Sequence, residues 1–206
     1  MSYLARGLAR CSLVAVAAGA AVTLFAGSAA AQSGEAPPLP PRVGWELGFG
    51  VYAGEINCEN ERGNFCDGVT EAGGFDLHAS YFFSPKLGLT VDLWPMFHTE
   101  DDWTFTHTVA VVGLKWRPAP IFTFTAGVGS AQARLRYEGI VNLDAETETV
   151  PAVLFAAGLD LVRGKSFALE VQARAGIGFY EEDDTGNGEA DVVGRNVGVG
   201  AALTFF

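Results

Sequence analysis

Hydrophobic and polar residues alternate with a period of two along most of the chain from Val43 onward. In the stretch VGWELGFGVYA, apolar side chains occupy one parity, while glycines and Glu46 occupy the other. Such alternation is typical of a strand with two different faces, and not of a helix. The same pattern recurs seven more times between turn-forming residues, so the sequence predicts eight strands. They cover residues 43–53, 75–83, 87–97, 104–116, 122–137, 150–162, 167–180 and 196–206.

The connections between these strands alternate in length. Three are short turns (84–86, 117–120 and 163–165), and four are longer (54–73, 98–103, 138–148 and 181–194). Most acidic residues fall in the longer connections, whereas the short turns carry lysine and arginine. Strands of about ten residues joined alternately by short turns and long loops are typical of transmembrane barrels. We therefore predict an all-β fold, an eight-stranded antiparallel up-and-down transmembrane β-barrel.

The apolar face is predicted to meet lipid, with aromatic residues at both edges of the apolar band. At the short-turn end these membrane-interface aromatics include Trp45, Phe83, Trp116, Phe122, Phe167 and Phe205. Phe75, Phe97 and Phe179 lie towards the long-loop end. The other face is rich in glycine, which suits a narrow barrel interior. A secreted soluble barrel of the lipocalin kind is the alternative, and it would turn its aromatics inward around a ligand.

The glycine-rich face also carries charges that the barrel would enclose. Its acids are Glu46, Asp76, Asp92, Asp160 and Glu170, and its bases are Lys115 and Arg174. Arg134 and Arg136 join them if a β-bulge near Gly129–Ser130 shifts the parity of the fifth strand. Buried charges persist only when they are paired, and eight strands leave room for side chains and not for a channel. The sequence therefore predicts a lumen plugged by a charge network, with a narrow pore as the alternative.

The N-terminus predicts export. Arg6 and Arg10 precede an apolar run from Leu13 to Phe25, and an Ala-x-Ala site ends at residue 31. This is the layout of a cleaved signal peptide. We assign residues 1–31 to the signal peptide, 32–42 to a Pro-rich linker and 43–206 to the barrel. The net charge of −11, with no cluster of basic residues, argues against nucleic acid as a partner.

Two cysteines remain after the signal peptide. Cys58 and Cys66 are the first and last residues of the nine-residue stretch CENERGNFC. An exported chain meets an oxidising compartment. We expect a local disulfide that staples the first long loop, since no histidine or third cysteine lies nearby to complete a metal site. The acidic segment 183–191 partly resembles a twelve-residue calcium-binding loop. Gly194, however, occupies the twelfth position, where such a loop has a glutamate. We predict neither a metal nor a cofactor.

The stretch ASYFFSPKLGLTVDL (79–93) resembles the small eight-stranded outer-membrane barrels of the OmpA and OmpX type. The terminal Phe206 resembles the C-terminal aromatic residue that the barrel assembly machinery reads, although the apolar parity falls on Phe205. This resemblance implies a Gram-negative outer membrane, with its lipid and lipopolysaccharide as partners. The resemblance does not specify an activity, because fold does not fix function. We predict a structural or surface-interaction role, with the acidic extracellular loops as the contact surface for an extracellular ligand.

One group of residues suggests an enzyme as an alternative. A symmetric 84–86 turn would place His78 opposite Asp92, with Ser80 two residues away on the same face. This group resembles the site of outer-membrane lipid A deacylases, but Tyr81 replaces the asparagine of that family and Asp92 its glutamate. The three side chains would also face the lumen and not the membrane. We therefore interpret them as barrel filling and expect no catalytic activity.

Overall fold

The computed structural model describes residues 42–60, 70–139, 142–182 and 190–206. They form nine strands: β1 Gly44–Asn60, β2 Thr70–Phe82, β3 Leu87–Glu100, β4 Trp103–Ala119, β5 Phe122–Glu138, β6 Asn142–Glu146, β7 Val150–Arg163, β8 Phe167–Glu182 and β9 Ala190–Phe205. The predicted signal peptide, the linker before Arg42, Cys66 and segment 183–189 lie outside the described residues, as does the side chain of Cys58. Among the described residues, no helix is long and apolar enough to cross a membrane.

Eight of the strands close into a ring. β1 to β5 and β7 to β9 pair in antiparallel order, β1 pairs with β9, and β5 pairs with both β4 and β7. The predicted eight-stranded antiparallel barrel is confirmed. β6 is an additional strand that lies inside the segment predicted to be a loop, residues 138–148. It pairs with the last residues of β5.

The long connections are shorter than the sequence predicts, because the strands continue past the barrel. Glu100 pairs with Trp103, so only Asp101 and Asp102 form the turn between β3 and β4. Asp101 has a φ of 50°, a left-handed conformation that aspartate tolerates better than most residues. At the opposite end, the 84–86 turn is closed by Ser84, whose Oγ accepts a hydrogen bond of 3.0 Å from the Leu87 N–H.

The two faces of the sheet have opposite polarity from those of a soluble barrel. Outward side chains are large and apolar, with Trp45 69 % exposed, while Glu46 beside it is 1 % exposed. Inward glycines make room for the enclosed polar side chains. A Cβ on Gly48 would collide with the His78 imidazole, and one on Gly158 would lie 3.0 Å from Glu170 Oε2.

The predicted bulge in β5 is wrong. The register between β4 and β5 runs without a shift from Trp103 opposite Tyr137 to Trp116 opposite Phe124. Ala131 therefore stays inside the barrel, at 1 % exposure, and Arg134 and Arg136 point outward. The polarity pattern changes here without any change in the backbone, because the apolar residues beyond this point cover the end of the core. Phe105 packs against the core cluster in this way.

Candidate functional site

The barrel interior holds the predicted charged residues in two layers. The layer at the short-turn end centres on Glu46. Arg117 Nη2 donates hydrogen bonds of 2.9 and 3.1 Å to its two carboxylate oxygens. Lys115 Nζ lies 3.8 Å from the same carboxylate, and Arg42 Nη1 lies 3.9 Å from it. Arg42 also donates to Asp160, so this layer joins three cations to two carboxylates.

Sequence reasoning missed two cations of this layer. Arg42 was assigned to the linker and Arg117 to a short turn, yet both are 4 % exposed. Their parity was the available signal, since Arg42 continues the even, inward positions of β1 and Arg117 the odd, inward positions of β4. A surplus of interior acids was a second signal, because buried carboxylates need partners.

Arg42 also contacts the end of the chain. Its Cζ lies 4.2 Å from the centroid of the Phe206 ring, a cation–π geometry. Phe206 follows the last residue of β9, and its N–H donates a 3.1 Å hydrogen bond to the Ser166 carbonyl. The neighbouring Phe205 is 48 % exposed on the outer face. The last two residues therefore face opposite sides of the barrel wall.

The middle layer is built around Arg174. Its Nη2 pairs with Asp92, and its Nη1 lies 3.2 Å from Asp76 Oδ2. Asp76 Oδ1 also accepts a 2.7 Å hydrogen bond from the Tyr52 hydroxyl. His78 Nδ1 lies 2.5 Å from Asp76 Oδ2. One guanidinium thus bridges two carboxylates from adjacent strands.

Glu170 is fully buried and receives neutral donors. Thr204 Oγ1 and Gln172 Nε2 each donate at 3.0 Å, and Thr123 Oγ1 donates at 3.3 Å. Hydrogen bonds to a carboxylate are stronger than those between neutral groups, so three such donors hold a buried charge in place. Thr204 Oγ1 also lies 3.4 Å from His78 Nε2, so this hydroxyl links Glu170 to the middle layer.

Asp76, His78 and Asp92 offer metal-ligand atoms that lie within 4.8 Å of one another. The guanidinium of Arg174 already pairs with both of these carboxylates. A metal ion could use them only if that cation withdrew. The arrangement is therefore an ion cluster in which both carboxylates already have a cationic partner.

The residues of the enzyme alternative lie close together but are not connected as a catalytic triad. His78 is opposite Asp92 in the register, and Ser80 is opposite Thr90. Ser80 Oγ donates its hydrogen bond to Thr90 Oγ1 at 2.9 Å. Nucleophilic catalysis requires a serine bonded to its base, whereas His78 contacts Asp76 and, at 3.4 Å, Thr204.

The half of the interior nearer the long loops is mainly apolar, and it also holds one buried polar pair, since His107 Nδ1 lies 2.8 Å from Asn196 Oδ1. Its core residues are buried to 3 % exposure or less: Trp94, Met96, Val109, Val111 and Leu154. A cavity of about 10 Å³ lies in the charged part of the interior, beside Asp92, Lys115 and Arg174. That volume holds about one water molecule.

The predicted interface aromatics lie on the outer surface of the barrel. Trp45, Phe83, Trp116, Phe122, Phe167 and Phe205 are between 39 % and 69 % exposed. Phe167 is opposite Phe205, and the Trp45 ring lies 5.3 Å from the Tyr81 ring. At the other end, the rings of Phe75 and Phe97 stack at 5.8 Å. The outer face therefore carries two bands of aromatic side chains.

Arg134, expected in the lumen, lies instead on the exposed face of the β5–β6 hairpin. Its guanidinium pairs with Asp144, and Arg136 Nε lies 3.2 Å from Glu138 Oε1. The hydrogen bond from Arg134 lowers the pKa of the Asp144 carboxyl below its ordinary value. These charges belong to the surface of the hairpin and not to the interior network.

No protein-family model and no curated protein matches the sequence. Solved structures do. The alignment with Neisserial surface protein A covers 78 % of this chain and 96 % of that protein's chain, with a TM-score of 0.51 at 11 % sequence identity. The alignment with the Ail protein of Yersinia pestis covers 78 % of this chain and 99 % of that one, with a TM-score of 0.49 at 13 % sequence identity. The alignment with OprG of Pseudomonas aeruginosa covers 80 % of this chain and 97 % of that one, with a TM-score of 0.42 at 10 % sequence identity. The chain has the fold of the small eight-stranded outer-membrane β-barrels, as the sequence resemblance implied.

Proposed function

We propose that this protein is an outer-membrane β-barrel with a lumen plugged by side chains, and that it acts at the cell surface as a structural or interaction protein. The observation that carries the proposal is the inverted polarity of the barrel. Its charges are buried and paired, while its large apolar side chains are exposed. This arrangement is stable in hydrocarbon and unfavourable in water.

The height of the apolar band supports the assignment to a membrane. Outward positions of β1 are apolar from Val43 to Ala53, and the next outward position is Glu55. At about 3.3 Å per residue and a strand tilt of ~40°, this stretch spans about 25 Å. That height matches the apolar belt of outer-membrane barrels, which is also ~25 Å.

The change of polarity in β4 and β5 supports the same orientation. Beyond the band, outward positions are polar (Thr104, Thr106, Arg134 and Arg136), and inward positions are apolar. A strand that leaves lipid for water exchanges its apolar outer face for a polar one. The long-loop end therefore extends past the membrane, and we assign it to the extracellular side.

The packing of the interior supports a plugged lumen. The charged layers at the short-turn end and in the middle are followed by an apolar layer containing Trp94 and Met96, both 0 % exposed. A hydrated ion would have to displace these side chains and break ion pairs. Breaking a buried pair costs about 3–5 kcal/mol.

Conductance in a planar lipid bilayer tests the plug. We expect no steady ohmic current from the purified barrel. A Trp94→Gly/Met96→Gly variant, which removes the two large side chains of the apolar layer, is the comparison that should increase current. Steady currents from the wild-type protein would refute the plug.

Outer-membrane lipid and lipopolysaccharide are the partners that we propose for the outer face, and the barrel assembly machinery is the partner during insertion. The exposed aromatic ring of Phe205 on the outer face of β9 supports that second partner. Cell fractionation with heat-dependent gel mobility tests the location. A Phe205→Ser/Phe206→Ser variant should lose insertion, and recovery of the wild-type protein in the soluble fraction would refute the proposal.

We propose no enzymatic role. The hydrogen bond from Ser80 to Thr90 and the enclosed position of His78 support this view. In cells that express the protein, the acyl composition of lipid A should be the same for the wild type and Ser80→Ala. Loss of an acyl chain that depends on Ser80 would favour the deacylase alternative instead.

A further inference from the structure

Beyond the barrel, β4, β5 and β6 continue as a sheet with one apolar face. We call this face the rim platform, and it consists of Trp103, Phe105, Leu135, Tyr137 and Leu143. Trp103 is opposite Tyr137, Phe105 is opposite Leu135, and Tyr137 is opposite Leu143. The rings of Trp103 and Tyr137 lie 4.6 Å apart. Leu143 is 55 % exposed and Trp103 43 %.

The rim platform is not part of the lipid-facing belt. It carries the same parity as the buried His107 and Ala131, so it lies on the inner side of the sheet. The lipid-facing parity is polar at this height. Apart from Phe105, whose side chain packs against the core cluster, neither lipid nor the core formed by the described residues covers this face. An uncovered apolar face is typical of an interaction surface.

A cavity of about 230 Å³ opens on this face. It is lined by Trp103, Phe105, Leu135, His98, Glu100 and Asp101. Pockets for drug-sized ligands occupy about 300–1,000 Å³. The smaller cavity therefore suits one large apolar side chain of a macromolecule better than a whole small molecule.

The charges around the cavity are negative. The Glu100 side chain is 81 % exposed, and Asp101 is exposed beside it. Among the lining residues the basic group is His98, whose Nε2 lies 3.8 Å from Glu100. The arginines of the opposite face pair with acids of the hairpin. The face of the Trp103 indole also favours a cation. The site is thus complementary to an apolar group with a positive charge next to it.

We propose that the rim platform binds a polypeptide segment that inserts one apolar side chain into the cavity and places an adjacent lysine or arginine against Glu100 and Asp101. The inference rests on the proposed orientation, which leaves the platform in water. Charge complementarity selects this occupant. Lipid phosphates would be repelled by the two carboxylates, and a second copy of this chain would bring the same acids face to face.

The experiment uses the whole barrel in nanodiscs of zwitterionic lipid and three fluorescently labelled nine-residue peptides. Their central residues are Lys-Phe-Lys, Lys-Ala-Lys and Glu-Phe-Glu between Gly/Ser flanks, and binding is followed by anisotropy at 0.15 M salt. We expect Lys-Phe-Lys to bind at least tenfold more tightly than Lys-Ala-Lys, and Glu-Phe-Glu not to bind.

Variants locate the binding. Glu100→Gln/Asp101→Asn should weaken Lys-Phe-Lys about tenfold, and asparagine tolerates the positive φ at position 101. Glu138→Gln is the matched control, since it removes an exposed acid from the same extension on the opposite face and leaves the Arg134–Asp144 contact of β6 in place. It should change the affinity less than twofold.

Equal binding of Lys-Phe-Lys and Lys-Ala-Lys would overturn the inference, because the cavity would then contribute nothing. An equal loss in Glu138→Gln would do the same, because only net charge would matter. A dimer that dissociates in Leu143→Ser, seen as a halved mass in light scattering, would assign the platform to a second copy. If heat-dependent mobility and the sealed lumen persist in each of these cases, the proposed function stands and only this inference fails.

Discussion

The Arg174→Met variant tests the interior most directly. Arg174 is 3 % exposed and pairs with both Asp76 and Asp92. Methionine keeps an unbranched side chain in its place but leaves both carboxylates without their cation. Removing one partner from a buried ion pair costs about 3–5 kcal/mol, because the remaining charge is desolvated and uncompensated.

The measurement is urea-induced unfolding of the barrel in lipid vesicles, followed by tryptophan fluorescence. We expect the free energy of unfolding to fall by about 3–5 kcal/mol in Arg174→Met. Arg136→Met is the matched control, since its side chain is 60 % exposed on the hairpin. Exposed ion pairs contribute about 0–1 kcal/mol, so this control should change little.

A triple variant, Arg174→Met with Asp76→Asn and Asp92→Asn, separates charge from packing. Replacing a whole buried ion cluster with neutral groups is often nearly neutral, so most of the lost stability should return. A loss in Arg174→Met no larger than that in Arg136→Met would refute the reasoning. It would mean that water inside the barrel screens these charges, and a plugged lumen would then be untenable.

Three further variants or conditions follow from other contacts. Arg42→Ala should lower the free energy of unfolding by about 3 kcal/mol, because Asp160 loses a buried partner, and Arg42→Lys should restore part of it in the same urea series. Gly48→Val should reduce the heat-shifted folded band on gels, since its Cβ meets the His78 ring, while Gly73→Val, whose Cβ would meet the Tyr52 carbonyl oxygen at 3.9 Å, should not. The Arg134–Asp144 contact should be present above the ordinary pKa of aspartate and be lost as the pH falls through the lowered pKa of Asp144. The protection factor of the β6 amides, which corrects exchange for its intrinsic pH dependence, should then fall in the wild type and be low at every pH in Asp144→Asn; a protection factor independent of pH in the wild type would contradict this.

The errors of sequence interpretation occurred where the surroundings of a strand change. In β5 the apolar residues switch parity after Val128, and a bulge is the reading that keeps apolar side chains on one face. The register shows that the backbone continues and that the polarity of the face reverses. Arg134 and Arg136 were misplaced for this reason. Local periodicity reports which residues share a face, but it does not report what that face contacts at a given height.

Periodicity was informative within the barrel itself. All five acids predicted to face the interior, Glu46, Asp76, Asp92, Asp160 and Glu170, are buried. Side-chain direction along a strand alternates strictly, so parity is enough to place them. The two cations at strand ends, Arg42 and Arg117, were missed because strand ends are hard to locate from sequence.

The sequence by itself determined the number of barrel strands, the composition of each face and the interior location of the acids, because these properties follow from alternation within about ten residues. The tertiary structure decided which charges meet. Arg117 pairs with Glu46 across 71 positions, Arg174 with Asp92 across 82, and Arg42 with Asp160 across 118. Closure of the ring brings these residues together across the lumen. No local pattern encodes a distance across a barrel, which depends on the register of all eight strands at once.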